Sequence, residues 1–228
     1  SKDGGAVRPI LFSGPMVRAL LAGTKTQTRR VLKPQPHFHN VWQCEDTLDW
    51  WQSGHGEAGD DPIHIRIKRG DRLWVREAHY KTDDGDYERA VCAVDDAEVR
   101  EHLAEIERLK VSHPQVDWSR HARLRPGIHM PRWASRLTLT VTDIRVQRLQ
   151  DISEEDAIAE GAEPCSNGVW FDGKPQFAGS DARGAYYCLW EHINGTGSWA
   201  ASPWVVAYTF TVDCQNIDAA LSLAQGDR

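Results

Sequence analysis

Two stretches constrain this chain more than any others. Leu137 to Leu149 and Trp204 to Val212 both alternate apolar with polar residues, and a helix-like stretch lies between them. A period of two marks strands with one buried face. Strands so widely separated must pair at long range, and no regular strand-helix-strand alternation surrounds them, which points to a mixed sheet or small barrel rather than a doubly wound fold. In the first stretch Leu137, Leu139 and Val141 share one phase, while Ile144 and Val146 fall in the other before Leu149, so an irregularity is expected near Asp143. The second carries Val205, Val206, Tyr208, Phe210 and Val212. No G-x-G-x-x-G follows a strand and no G-x-x-x-x-G-K-[ST] is present, so neither phosphate-cradling loop is on offer.

Around these strands the punctuation is clear. Pro9 to Ser13 reads as a short buried strand, Met16 to Ala22 as a helix stopped by Gly23, and Thr24 to Val31 as an extended segment. Residues 34–62, with three prolines and Trp42, Trp50 and Trp51, read as an irregular insertion. His64 to Ile67 and Arg72 to Arg76 then read as a hairpin across Gly70-Asp71. A second insertion over about 82–132 holds an amphipathic helix from Asp95 to Lys110 and a basic loop reaching Arg132. Ser153-Glu154-Glu155-Asp156 resembles a capping box whose helix runs to Glu160 with Gly161 as its stop. Asp181 to Asn194 is another helix, and the tail after Asp213 is expected to be frayed or loosely helical. The whole is expected to be one domain over 1–228.

Composition narrows the function. At 40% hydrophobic and 26% charged residues the chain can bury a core, so disorder is not expected. No run approaches the ~20 apolar residues that span a bilayer, and Ser1 to Val7 lacks the apolar stretch of a signal peptide, so no membrane partner and a cytoplasmic location are expected. The five cysteines are scattered and never form C-x-x-C, which suits reduced thiols. Cys188 and His192 stand four apart without further ligands, so no metal is expected. A net charge of -6 opposes a generally basic nucleic-acid coat. Two acid-free stretches, Val17 to Pro36 and Trp118 to Thr142, nevertheless concentrate positive charge that suits a local anionic ligand, or arginine stems covering apolar surface.

One segment carries a family resemblance. Gly23-Thr24-Lys25-Thr26-Gln27-Thr28-Arg29-Arg30 follows a helix, opens a strand, and resembles the G-x-K-x-x-(E/T)-x-R signature of the ASCH superfamily. Gly70 to Val75, Leu149 to Gly161 and the Trp204 to Val212 strand resemble that family in its order. The resemblance implies an α+β, PUA-like mixed β-barrel with flanking helices, interrupted by the two insertions. Thr28, where many members carry Glu, is similar to the small branch that acts as an N4-acetylcytidine amidohydrolase. By that resemblance Lys25, Thr28 and Glu160 form the catalytic group, the substrate is a nucleoside, and no cofactor or metal is needed. The chain is about twice as long as the compact members of the branch.

The chemistry of these residue types is compatible with that expectation. Amide hydrolysis needs an activated nucleophile, a proton for the leaving nitrogen and positive groups near the oxyanion. In one division of labour Lys25, its pKa lowered by burial or by Arg29 and Arg30, activates the Thr28 hydroxyl while Glu160 protonates the leaving nitrogen. In the other, Glu160 activates a water while Lys25 and the Thr28 hydroxyl stabilise the oxyanion. Singly, each has an ordinary structural explanation: Lys25 as a helix-end cation, Thr28 as a strand residue, Glu160 as a solvated helix-end acid. Arg29 and Arg30 are candidate substrate contacts, Glu77 is a candidate partner for Arg30 or the pocket, and Trp74, Tyr80 and Trp133 are candidate stacking surfaces for a base. Two other function classes fit: an RNA- or DNA-binding module without chemistry, and a metal-dependent ribonuclease, against which the lack of a spaced carboxylate or histidine cluster counts.

Overall fold

The computed structural model describes residues 5–37, 40–53, 59–83, 88–93 and 96–226. Its elements combine a mixed multi-strand sheet with flanking helices, so the chain is α+β. The chain divides into two compact units, the first built from Ser1–Ala6, Ala22–Asp71 and Val141–Thr211, the second from Val7–Leu21, Arg72–Thr140 and Val212–Arg228. Among the described residues no helix is long and apolar enough to cross a membrane.

In the first unit β2 (Gln27–Val31) pairs antiparallel with β13 (Trp204–Asp213), which neighbours β9 (Thr138–Arg148). Helix α3 (Glu154–Ala159) starts where Ser153 caps it, its hydroxyl accepting from the Asp156 amide at 3.1 Å. An antiparallel sheet of β10 (Glu163–Cys165), β11 (Gly168–Phe171) and β12 (Lys174–Gly179) follows, covered by α4 (Ala182–Asn194). Leu149, Ile152, Ala157, Phe171, Phe177, Ala185, Tyr186, Trp190 and Val205 form the core between these pieces. Burial of large aromatic and aliphatic surface is the main term holding such a layer together.

In the second unit β1 (Val7–Leu11) runs parallel to β6 (Arg72–Arg76), and β6 pairs antiparallel with the start of β9. Helix α1 (Gly14–Leu21) buries Val17, Ala19 and Leu20, while Leu21 is exposed. A hairpin of β7 (His79–Asp83) and β8 (Glu88–Cys92) leads to α2 (Asp96–Ser112), then to short 3₁₀ turns at Trp118–Arg120, Gly127–His129 and Arg132–Ala134.

Several expectations are corrected. The main sheet, in the order β1-β6-β9-β13-β2, is open rather than closed into a barrel. His64 to Ile67 is not a strand, and β6 takes β1 as its parallel neighbour instead of forming a hairpin. Four alternating residues were too short a signal; the turn before β6 is fixed instead by Asp71, whose carboxylate accepts from the Ala6 and Lys68 amides at 2.7 and 2.9 Å. Among the described residues of the insertion expected to be irregular, β3 (Asn40–Gln43), β4 (Trp50–Ser53) and β5 (Asp61–Ile63) form a three-stranded sheet, with Trp42 stacked on Trp51 across one pair. β9 is unbroken at Asp143; the phase change falls where Thr142 and Asp143 are both exposed, beyond the residues that pair with β6. The tail after Asp213, expected to be frayed or loosely helical, takes the helical alternative over α5 (Ile217–Gly226), with Ile217 and Ala220 buried.

Candidate functional site

The site grows from strand alternation. Lys25 sits two residues ahead of Gln27, and Arg29 two beyond, so the three share one face of the strand. Lys25 also forms an isolated bridge with Glu160, at the C-terminal end of α3, where Gly161 takes a positive φ of 103° that a glycine adopts without strain. The Lys25 Nζ donates to the Glu160 carboxylate Oε2 at 2.8 Å, to the Glu160 carbonyl at 2.9 Å and to the Gln27 carbonyl at 2.8 Å. Both side chains are almost wholly buried, at 1% and 4% exposure.

Arg29 connects this pair to a second carboxylate. Its Nη1 donates to Glu160 Oε1 at 3.2 Å, and its Nη2 to Asp156 Oδ2 at 2.6 Å. Asp156 Oδ1 accepts from Arg145 at 2.6 Å and from the Gln27 amide at 3.2 Å. Asp156 and Glu160 are four residues apart, so they lie on one side of the helix end and converge on the same guanidinium. Arg145 is shared with Asp143, 3.7 Å from its Nε, so with Lys25 protonated three cations meet three carboxylates, and the Lys25 ammonium is the positive group nearest Glu160.

Burial drives the Lys25 pKa below its usual value; the Glu160 carboxylate opposes this and the charges of Arg30 and Arg29 reinforce it. Burial likewise raises the Tyr186 hydroxyl well above the ordinary tyrosine value, with the Glu160 charge adding and Arg29 and Arg30 subtracting. Tyr186 is therefore a phenol beside Glu160, not a phenolate. Tyr208 is pushed up to about 12 by burial, against the pull of Arg30. Arg30 is exposed by area, yet its guanidinium is lowered by desolvation, with Glu160, Tyr186 and Tyr208 acting in the other sense.

The structure thus brings Lys25, Arg29 and Glu160 together. Thr28 is buried opposite Tyr208 on β13, and alternation turns it to the face of β2 away from Lys25, Gln27 and Arg29. The remaining candidates belong to the second unit. Glu77 is buried and paired with Arg136 through two contacts at 3.0 and 3.3 Å. Trp74 lies beneath the Arg76 guanidinium, 5.5 Å from ring centroid to carbon, and Tyr80 packs against His102. Trp133 is exposed on its short turn, which Asn216 ties down by donating to its carbonyl.

Sequence reasoning missed Asp156, Gln27, Arg145 and Tyr186. The first two had a signal: Asp156 is one helical turn from Glu160, and Gln27 lies between Lys25 and Arg29 in strand phase. Arg145 and Tyr186 arrive through tertiary pairing, which no local pattern announces. Among the described residues no group of three or more His, Cys, Asp and Glu side chains is arranged to hold a metal ion, and all five cysteines are free thiols. No family model, curated protein or solved structure matches the chain.

Proposed function

We propose that this chain is an amidohydrolase that removes the acyl group from N4-acylated cytosine nucleosides, N4-acetylcytidine being the simplest, in the cytoplasm and without metal or organic cofactor. The observation that carries the reading is the Lys25–Glu160 contact: an ammonium and a carboxylate from segments 135 residues apart, 2.8 Å from each other in a buried setting. The ASCH-like signature that holds Lys25, and the resemblance of the Gly70 to Val75, Leu149 to Gly161 and Trp204 to Val212 segments to that family in its order, support the same reading.

Because Thr28 occupies the other face of β2, water is the better nucleophile. Glu160 takes a proton from that water as its oxygen adds to the acyl carbonyl carbon. The developing oxyanion meets the Lys25 ammonium. Glu160 then returns the proton to the exocyclic nitrogen as the carbon–nitrogen bond breaks, giving cytidine and a carboxylic acid. Tyr186, a neutral donor beside Glu160, steadies the carboxylate between the two proton transfers.

The test is incubation of purified protein with N4-acetylcytidine, followed by ultraviolet absorbance. Wild type converts it; Glu160→Gln and Lys25→Ala lose at least about a hundredfold in kcat, the lower range for a positioned acid-base group. Thr28→Ala retains most of the rate. Absence of wild-type turnover ends the reading. A second reading, a nucleic-acid-binding module, is favoured by the three acceptors already surrounding the Lys25 Nζ. Salt-dependent oligonucleotide binding without turnover is its signature.

A further inference from the structure

A continuous ionic chain runs from solvent to the buried dyad. Arg145, with 41% of its side chain exposed, holds Asp156, and Asp156 holds Arg29. Arg29 reaches Glu160, and Glu160 holds Lys25 at 1% exposure. The lengths along it are unequal. Arg29 lies 2.6 Å from Asp156 but 3.2 Å from Glu160, and it spends one terminal nitrogen on each. A guanidinium with a single carboxylate partner closes on it through two parallel bonds. Here Asp156 prevents that closure. The Arg29 Nε has no acceptor among the described residues, so the guanidinium is held by its two carboxylates and by Gln27, whose side-chain oxygen accepts from Nη1.

We propose that Asp156 is a positioning residue for the reaction above: by holding Arg29 back, it keeps Glu160 Oε1 loosely engaged and able to take and return a proton. This inference rests on the proposed amidohydrolase reading. Ser153 fixes the backbone amide of Asp156 through the helix cap, so the carboxylate is presented from a rigid turn. The other groups bearing on Glu160 are Lys25, Arg29 and Arg30 from the β2 segment, and Tyr186 from α4. Arg145 from β9 and Gln27 act on it through Asp156 and Arg29, and Tyr208 from β13 acts through Arg30.

Removing the Asp156 charge leaves Arg29 with Glu160 as its one acid partner. The guanidinium then closes on Glu160, whose carboxylate becomes harder to protonate. Asp156→Asn is therefore expected to lower kcat by on the order of tenfold or more, a part of what a positioned base supplies, with KM little changed. It should also move the acid limb of the kcat–pH profile to lower pH. Arg145→Gln, at a half-exposed position, should act in the opposite sense, because Asp156 freed from Arg145 draws Arg29 further from Glu160. Asp156→Glu, which keeps the charge, should restore part of the rate.

The decisive readout is the carboxyl ¹³C titration of Glu160 by NMR in wild type and the three variants. A midpoint displaced downward in Asp156→Asn and upward in Arg145→Gln supports positioning. Unchanged midpoints and unchanged pH limbs overturn it, even if kcat falls, because a merely structural loss leaves them in place. Should Asp156→Asn not fold, the Arg145→Gln displacement alone decides. If wild type turns over no N4-acetylcytidine, the proposed function fails while the titration still reports whether Asp156 controls Glu160.

Discussion

Asp156 keeps its charge in a place that penalises charge. Burial pushes its pKa up, but the Arg145 hydrogen bond, the Arg29 charge and the Gln27 amide outweigh that, and the carboxyl ends below the usual 3.8. The sign of the linkage follows. A depressed carboxyl contributes stability that is complete above the unfolded value and is lost as pH falls through the folded one. Urea unfolding of wild type should therefore weaken below about pH 4, and Asp156→Asn should show a shallower acid decline despite lower stability at neutral pH. Equal slopes in the two proteins would mean that another carboxylate governs the acid limb. At this scale the sequence showed Lys25 and Glu160 through a signature and a helix end. It could not show Asp156 as their partner, because its first-turn position reads equally well as an ordinary dipole-favoured acid. Thr28 shows the converse limit: a signature position names a residue, while strand phase decides the face it joins.

Between elements, the C-terminal half of the first unit is tied together by caps. The Glu154 carboxylate, in the first turn of α3, accepts from the Ala182 and Arg183 amides at 2.6 and 3.1 Å. Asp181 accepts from the Gly184 amide at 2.7 Å. Most of the free donors at the start of α4 are thereby satisfied. β12 ends hard against that start: a Cβ on Gly179 would come within 2.3 Å of the Ala185 nitrogen, an approach only glycine permits. These contacts set where Tyr186 meets Glu160. Glu154→Ala should cost about 1–2 kcal/mol in denaturant unfolding and reduce N4-acetylcytidine turnover more than it raises KM, whereas a stability loss with unimpaired kcat would show that α4 needs no such tie. Both helices were legible from Ser153, Asp181 and their apolar spacing. The β10–β12 sheet was not, because Gly168, Gly173 and Gly179 break its alternation into pieces too short to register.

Neither unit is a continuous piece of chain. Each is assembled from three segments, and two strands belong to both: β9 gives Thr138–Thr140 to the second unit and its remainder to the first, while β13 does the reverse at Val212. Sequence patterns exposed the strands but not this partition, since alternation reports a buried face and says nothing about which neighbours bury it. The same blindness produced the expected hairpin before β6, where the actual partner is β1, more than sixty residues away by register (Val7 with Arg72). A unit that unfolds must fray strands on which the other depends, so the two should open as one cooperative body. Native-state hydrogen exchange can measure this at Val206 and Ala207 in the first unit and at Leu73 and Val75 in the second, all of them buried. The slowest amides in both should report the same opening free energy. Ser135→Ala removes a buried hydroxyl 2.9 Å from the Val75 carbonyl and should cost about 1–2 kcal/mol. That loss should appear equally at all four amides; protection at Val206 and Ala207 that ignores the change at Ser135 would show that the shared strands transmit no cooperativity.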